Sequence, residues 1–137
     1  MFGEKKKIVA VDDSGIILKM LTKVLGDKYE VHAFSTGKRA LQFLKEKDRK
    51  PDLIILDIDM PEINGYEMLQ MIKEKDHLEN VPVIFLTSNS DKSHVVKAVA
   101  GGAKDYVVKP IDEEILMEKV SSLIDDEADR KMNWDKI

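Results

Sequence analysis

Five residues of reactive or ligating type stand where short apolar runs stop. Ile8-Val9-Ala10-Val11 gives way to Asp12-Asp13, Leu53-Ile54-Ile55-Leu56 to Asp57, Val83-Ile84-Phe85-Leu86 to Thr87, and Tyr106-Val107-Val108 to Lys109-Pro110. Carboxylates gathered at one point repel by roughly 4 kcal/mol per close pair at an effective dielectric of about 20. Such a group calls for a proton, a cation, or a neighbouring ammonium such as Lys109. Mg²⁺ answers that need, being a hard ion that takes oxygen ligands, commonly one or two carboxylates plus phosphate oxygens. With a metal on Asp12 and Asp13, the Asp57 carboxylate can attack phosphorus, a known form of covalent catalysis through an aspartyl phosphate. Positioning and electrostatics supply most of phosphoryl-transfer catalysis. The metal would take one oxygen of the transferring group, Lys109 a second, and the Thr87 hydroxyl with the Ser88 backbone N–H a third.

This chemistry requires the runs to be neighbours. Short, β-branched-rich apolar runs read as strands buried on both faces, as in parallel sheets. In such a sheet all carboxyl-terminal strand ends meet at one edge, where ligands bind. The spacing predicts five strand–helix alternations. Strand one covers about 6–11. Helix one follows, with Ser14 as N-cap, Gly26 as stop, and Ile17, Leu18, Leu21, Val24 and Leu25 at helical spacing. Strand two runs from Tyr29 to Phe34, and helix two from about Lys38 to Lys47, burying Ala40, Leu41 and Leu44. Pro51 opens strand three, which ends at Asp57; Met60 to Gly65 form a turn-rich loop, and helix three spans about 66–75. Pro82 opens strand four, helix four covers about 91–100, and strand five about 105–108. Asp112-Glu113-Glu114 load the start of helix five, as the helix dipole favours. Right-handed crossovers then place helices on both faces of a five-stranded parallel sheet. Residues 126–137 read as an extension of the last helix or a tail, because Ala128 and Met132 continue the spacing of Val120 and Ile124. Trp134 is either an anchor for that extension or a stray aromatic.

At 137 residues the chain fits one domain with its own core. A net charge of −4 gives no ground for direct nucleic-acid binding, and the absence of cysteine excludes disulfides and thiol chemistry. Lys5-Lys6-Lys7 precede too short an apolar run for a signal peptide, and nothing reaches membrane-spanning length, so a cytoplasmic location without membrane insertion is expected. The lysine-rich opening and the scattered His32, His77 and His94 read as solvated.

The motif set resembles the receiver domain of two-component response regulators, in particular a stand-alone chemotaxis-type one. It comprises Asp12-Asp13, Asp57 with Met60-Pro61 and Gly65 behind it, Thr87, and Lys109-Pro110, and the likeness runs from Lys6 to about Ile124. The resemblance implies a flavodoxin-like doubly wound sheet of order 2-1-3-4-5 with five helices, and a receiver domain over 1–125. Asp57 would accept a phosphoryl group from a histidine kinase. Asp13, Asp57 and the backbone carbonyl of Asp59 would bind Mg²⁺ directly, and Asp12 through a water. Lys109 would pair with the phosphoryl group, and its bond to Pro110 would be cis. Thr87 would move toward that group and Tyr106 would turn inward, remodelling the helix 4–strand 5–helix 5 face where a downstream protein docks.

Asp59 and Asn89 depart from the commoner pattern, at positions that tune hydrolysis in the family. The resemblance makes the chain a signalling phosphoacceptor that catalyses its own phosphotransfer and slow autodephosphorylation rather than an enzyme, and a separate phosphatase is a further possible partner. Its alternatives are a phosphorelay intermediate or a receiver cut from a longer regulator. A rival from another class is a haloacid-dehalogenase-type phosphatase, which Asp57-Ile58-Asp59 also resembles. That motif usually opens the first strand, whereas here two βα units precede it and Met60-Pro61 follows. FMN binding suits the topology, but the acidic first loop would repel its phosphate.

Overall fold

The most uniformly apolar runs occupy the middle of the sheet. The computed structural model describes residues 5–88 and 92–125. Five parallel strands, β1 (Lys7–Val11), β2 (Glu30–Phe34), β3 (Leu53–Asp57), β4 (Val83–Thr87) and β5 (Asp105–Val108), lie in the order β2-β1-β3-β4-β5. Every residue of β3 and β4 is buried, because a central strand covered on both faces meets no water. No residue of the edge strand β2 is buried. With its five helices this is the doubly wound, flavodoxin-like arrangement expected above.

Side-chain alternation sorts the core into two halves. Ile8, Ala10, Leu53 and Ile55 pack with Leu21 and Leu25 of α1 (Gly15–Leu25) and with Leu116 and Val120 of α5 (Glu113–Ile124). Val9, Val11, Leu56 and Phe85 pack on the other face, against α2 (Gly37–Leu44), α3 (Gly65–Lys73) and α4 (Lys92–Ala100). Four helices start on side-chain caps: Ser14, Thr36 and Asp112 each accept a backbone N–H, and Asn64 with Glu67 forms a reciprocal capping box.

Several boundaries and surface assignments differ from expectation. Helix two stops at Leu44 rather than Lys47, and a 3-10 turn over Lys47–Arg49 follows; residues 45–50 are all exposed, so no burial prolongs the helix. Leu41 is only half-buried, and α3 ends at Lys73, whose ammonium donates to the Glu79 and Val81 carbonyls at 3.0 and 3.2 Å. His32 and His77 are not simply solvated. His32 Nε2 lies 2.7 Å from Glu30 Oε2 and His77 Nε2 lies 2.8 Å from the Leu44 carbonyl, both rings being half-buried where neighbouring elements fold over them. The side chain of His94 lies outside those described. Lys5 and Lys6 donate to the Gly26 and Ile124 carbonyls, so the basic opening is tied to helix ends.

α5 ends where Asp125 turns extended; the expected extension through Met132 and Trp134 falls on 126–137, outside the described residues. Asp125 is buried, pairs with Lys28, and accepts hydroxyl hydrogen bonds from Tyr29 at 2.7 Å and Ser121 at 2.6 Å. Burial alone would push this carboxyl up, but the hydrogen bonds from Lys28, Ser121 and Tyr29 outweigh it and hold it below the usual range. Asp125→Ala strands those donors, and because Lys28 can still reach water the expected loss is about 2–3 kcal/mol at pH 7. A lowered carboxyl stabilises the fold above its unfolded value near 4, and that contribution fades as pH falls through the folded value. Urea unfolding at pH 7 and pH 3 should therefore show the deficit narrowing in acid; an equal deficit at both would assign it to packing alone.

Candidate phosphoryl and metal centre

Register brings the acids together. Val11 pairs with Leu56, so Asp12 and Asp57 are one step further along adjacent strands. Asp57 shares the face of Leu53 and Ile55, whereas Thr87 shares that of Val83 and Phe85. Asp12, Asp13 and Asp57 each offer a carboxylate oxygen within 4.8 Å of the others. Asp12 and Asp57 are 0% and 2% exposed, while Asp13 faces solvent. Lys109 Nζ reaches back to this cluster, 2.9 Å from Asp12 Oδ2 and 3.3 Å from Asp57 Oδ1. Its peptide bond to Pro110 is cis, and its backbone N–H donates to the Thr87 carbonyl at 2.7 Å.

Each acid has a definite surrounding. Asp12 Oδ1 accepts the Ser14 N–H at 2.8 Å, and Asp57 Oδ1 accepts the Asp59 N–H at 3.2 Å. Burial pushes the Asp57 carboxyl up, the charge of Asp12 adds to this, and Lys109 opposes it; the result is about 6. Burial works against the Lys109 ammonium, but Asp12 and Asp57 more than compensate and hold its pKa above the ordinary value. Asp12 Oδ2 has no hydrogen-bond partner despite the ammonium 2.9 Å away, which makes that contact ionic without a donor's alignment. A buried oxygen in this condition, beside two further carboxylates, fits a hard oxygen-seeking cation such as Mg²⁺.

Around the acids, Thr87 is buried at the end of β4 and Ser88 is exposed just beyond it. Tyr106 is half-buried, with the Lys119 ammonium 4.7 Å from its ring centroid and 2.7 Å from its carbonyl. Asp59 is exposed, and Asn89 lies outside the described residues. The loop behind Asp57 is held by a close approach: a Cβ on Gly65 would stand 2.6 Å from the Asp57 carbonyl oxygen and 2.8 Å from Ile58 Cα. The Gly65 N–H also donates to the Ile58 carbonyl at 2.9 Å. Gly65→Ala should cost about 3 kcal/mol, because backbone rather than a flexible side-chain end must give way. A urea midpoint unchanged from wild type would show that α3 can back away freely.

The sequence reading missed Asp125, two of whose partners, Tyr29 and Lys28, lie 96 and 97 residues away, and Tyr66, which at helical spacing looks like ordinary core.

The family model described as response regulator receiver domain matches residues 8–121. The chain belongs to this family. Its receiver domain is similar to the two-component response regulator ORR3 of Oryza sativa, 34% identical over 105 residues that make up 76% of this chain and 79% of the relative. It is 39% identical over 113 residues to a probable cyclic di-GMP phosphodiesterase of Vibrio cholerae, which covers 82% of this chain but 25% of that protein. The chain thus spans only a small part of some curated relatives. Among solved structures, chemotaxis protein CheY4 of Vibrio cholerae superposes with a TM-score of 0.80 at 30% identity, over 87% of this chain and 98% of that one. The BeF3-activated receiver domain of DrrB does so with a TM-score of 0.80 at 36% identity, over 89% and 99%. Among the described residues no helix of this receiver domain is long and apolar enough to cross a membrane.

Proposed function

We propose that this receiver domain is a phosphorylation-activated switch: Asp57 accepts a phosphoryl group from a histidine kinase with Mg²⁺, and the modified domain changes its partner binding. The observation that carries this reading is the convergence of Asp12, Asp13 and Asp57 within 4.8 Å, with the Lys109 ammonium 3.3 Å from Asp57. An Asp57 oxygen bonds to phosphorus as the P–N bond of the donor phosphohistidine breaks and the imidazole leaves. Lys109, already beside that oxygen, offsets the incoming negative charge. Asp12, Asp13 and Asp57, with the Asp59 carbonyl, would hold the metal, which when bound draws electron density from the transferring oxygens.

The Thr87 hydroxyl and the Ser88 N–H receive a remaining phosphoryl oxygen, and Asp59 and Asn89 tune its later loss to water. Thr87 and Tyr106 carry the change to the α4–β5–α5 face. Exposed Val96 and Val99 on α4 and Ile115 on α5 support a protein partner there. The likeness to a chemotaxis protein favours a motility circuit, with slow loss of the phosphoryl group or a separate phosphatase ending the signal.

The test is incubation with acetyl phosphate and Mg²⁺, followed by intact-mass measurement. Uptake of one phosphoryl group per chain with slow decay supports the switch. Steady multiple turnover of a generic phosphomonoester would instead favour an aspartate-nucleophile phosphatase.

A further inference from the structure

Three aromatic residues, Tyr66, Phe85 and Tyr106, meet in the core half on the side of the sheet that carries α4. Strand register sets Phe85 of β4 beside Tyr106 of β5, and both belong to the core half shared by α2, α3 and α4. Tyr66 of α3 also packs edge-on against Phe85, with ring centroids 5.4 Å apart and an interplanar angle of 70°. The three residues thus link α3, β4 and β5, with Thr87 two residues beyond Phe85.

Both tyrosines are capped by a helix lysine, Tyr66 by one from α4 and Tyr106 by one from α5. Lys119 of α5 lies over Tyr106 and is fixed by two further contacts, to the Tyr106 carbonyl and to Asp105 Oδ1 at 2.9 Å. Lys97 of α4 lies 4.4 Å from the Tyr66 centroid, and no carboxylate or carbonyl among the described residues pairs with its ammonium. One cap is therefore held at three points and the other by the ring face alone. Tyr66 also senses the acidic loop: burial pushes its hydroxyl up, and the charge of Asp59, two residues past Asp57, pushes it further.

We propose that Tyr66 is a positioning residue of the switch, forming with Lys97 a releasable clasp between α3 and α4 that couples the state of Asp57 to the rotamer of Tyr106. The proposal rests on the phosphoacceptor reading above. Two physical routes converge on the clasp. A turn of Tyr106 changes the packing beside Phe85, and a close-packed interior passes that displacement on to Tyr66 instead of absorbing it. A phosphoryl dianion on Asp57 adds negative charge near Asp59, which competes with the Tyr66 ring for the Lys97 ammonium. Release of the ammonium frees α4 from α3, and α4 is itself part of the face offered to partners.

The experiment uses the whole chain with 3-fluorotyrosine in place of tyrosine, followed by fluorine NMR during titration with beryllofluoride at saturating Mg²⁺. The resonances of Tyr29, Tyr66 and Tyr106 are assigned from single Tyr→Phe variants. Those of Tyr66 and Tyr106 should shift with one shared midpoint, while that of Tyr29 stays in place. Lys97→Gln should move the midpoint two- to fivefold, and Lys97→Arg, which can still stack on the ring, should restore it. A role in stability alone would change the melting temperature and leave the midpoint where it was. A Tyr106 shift with Tyr66 unmoved, or a midpoint unaffected by Lys97→Gln, overturns the coupling and leaves the phosphoacceptor reading intact. Silence of both tyrosines, together with an unmoved Thr87 amide in a parallel nitrogen-15 spectrum, would defeat that reading and the proposal together.

Discussion

Asp57→Asn will reduce phosphoryl uptake from acetyl phosphate to background and, at the same time, make the fold more stable at neutral pH. The first effect follows from the nucleophile, since an amide oxygen beside the same Lys109 cannot form the acyl phosphate. The second follows from burial. Asp57 is 2% exposed and its carboxyl sits at about 6, against an ordinary value of 3.8. A raised carboxyl stabilises the native state below the unfolded value and loses that advantage as pH climbs from about 4 to about 6. At pH 7 the native protein therefore carries an ionised side chain that burial and Asp12 disfavour, at a cost of up to about 3 kcal/mol. Lys109 keeps Asp12 as a partner in the variant, so a gain of about 1–3 kcal/mol is expected in urea unfolding at pH 7. At pH 4 the gain should be nearly gone. Phosphoryl label persisting on the variant would move the acceptor elsewhere, and a loss of stability would show that Asp57 is net favourable to the fold.

Mg²⁺ affinity should fall about tenfold for each pH unit below about 6 and level off above it. The cation needs the ionised form of Asp57, so below the pKa each binding event must expel a proton. The same linkage predicts stabilisation by the ion: at a concentration a hundred times its dissociation constant, roughly 2.7 kcal/mol is added to unfolding. Calorimetric titrations in buffers of different ionisation enthalpy read both the affinity and the proton released. Chelation should return the melting temperature to the metal-free value. An affinity flat from pH 5 to pH 8 would remove Asp57 from the ligand set.

The strands were legible because β1, β3 and β4 are buried on both faces, which demands short unbroken apolar runs, here rich in β-branched residues and too short for a buried helix. The acids were legible for a related reason: Asp12 and Asp57 interrupt such runs, and a charge at that place needs a use. Helix ends were less so. Nothing local separates Leu44 from Lys47 as a stop, since the decision lies in what the residues beyond could bury. The Asp125 cluster left no mark in the sequence, because Tyr29 and Lys28 become its neighbours only when the first βα unit closes on the last helix. Tyr66 was hidden differently: its position in α3 is that of any core residue, and tertiary contacts such as those with Phe85 and Lys97 set it apart.

The alternation that sends Asp57 toward α1 and α5, and Thr87, Phe85 and Tyr106 toward α3 and α4, makes the sheet a partition wall. Reagents gather on one side of it and part of the audience stands on the other, joined through strand ends a residue or two apart and through α5, whose Lys119 reaches Tyr106. Substitutions well apart on the two sides should combine additively, so such a domain can exchange its audience over time while its chemistry is left alone.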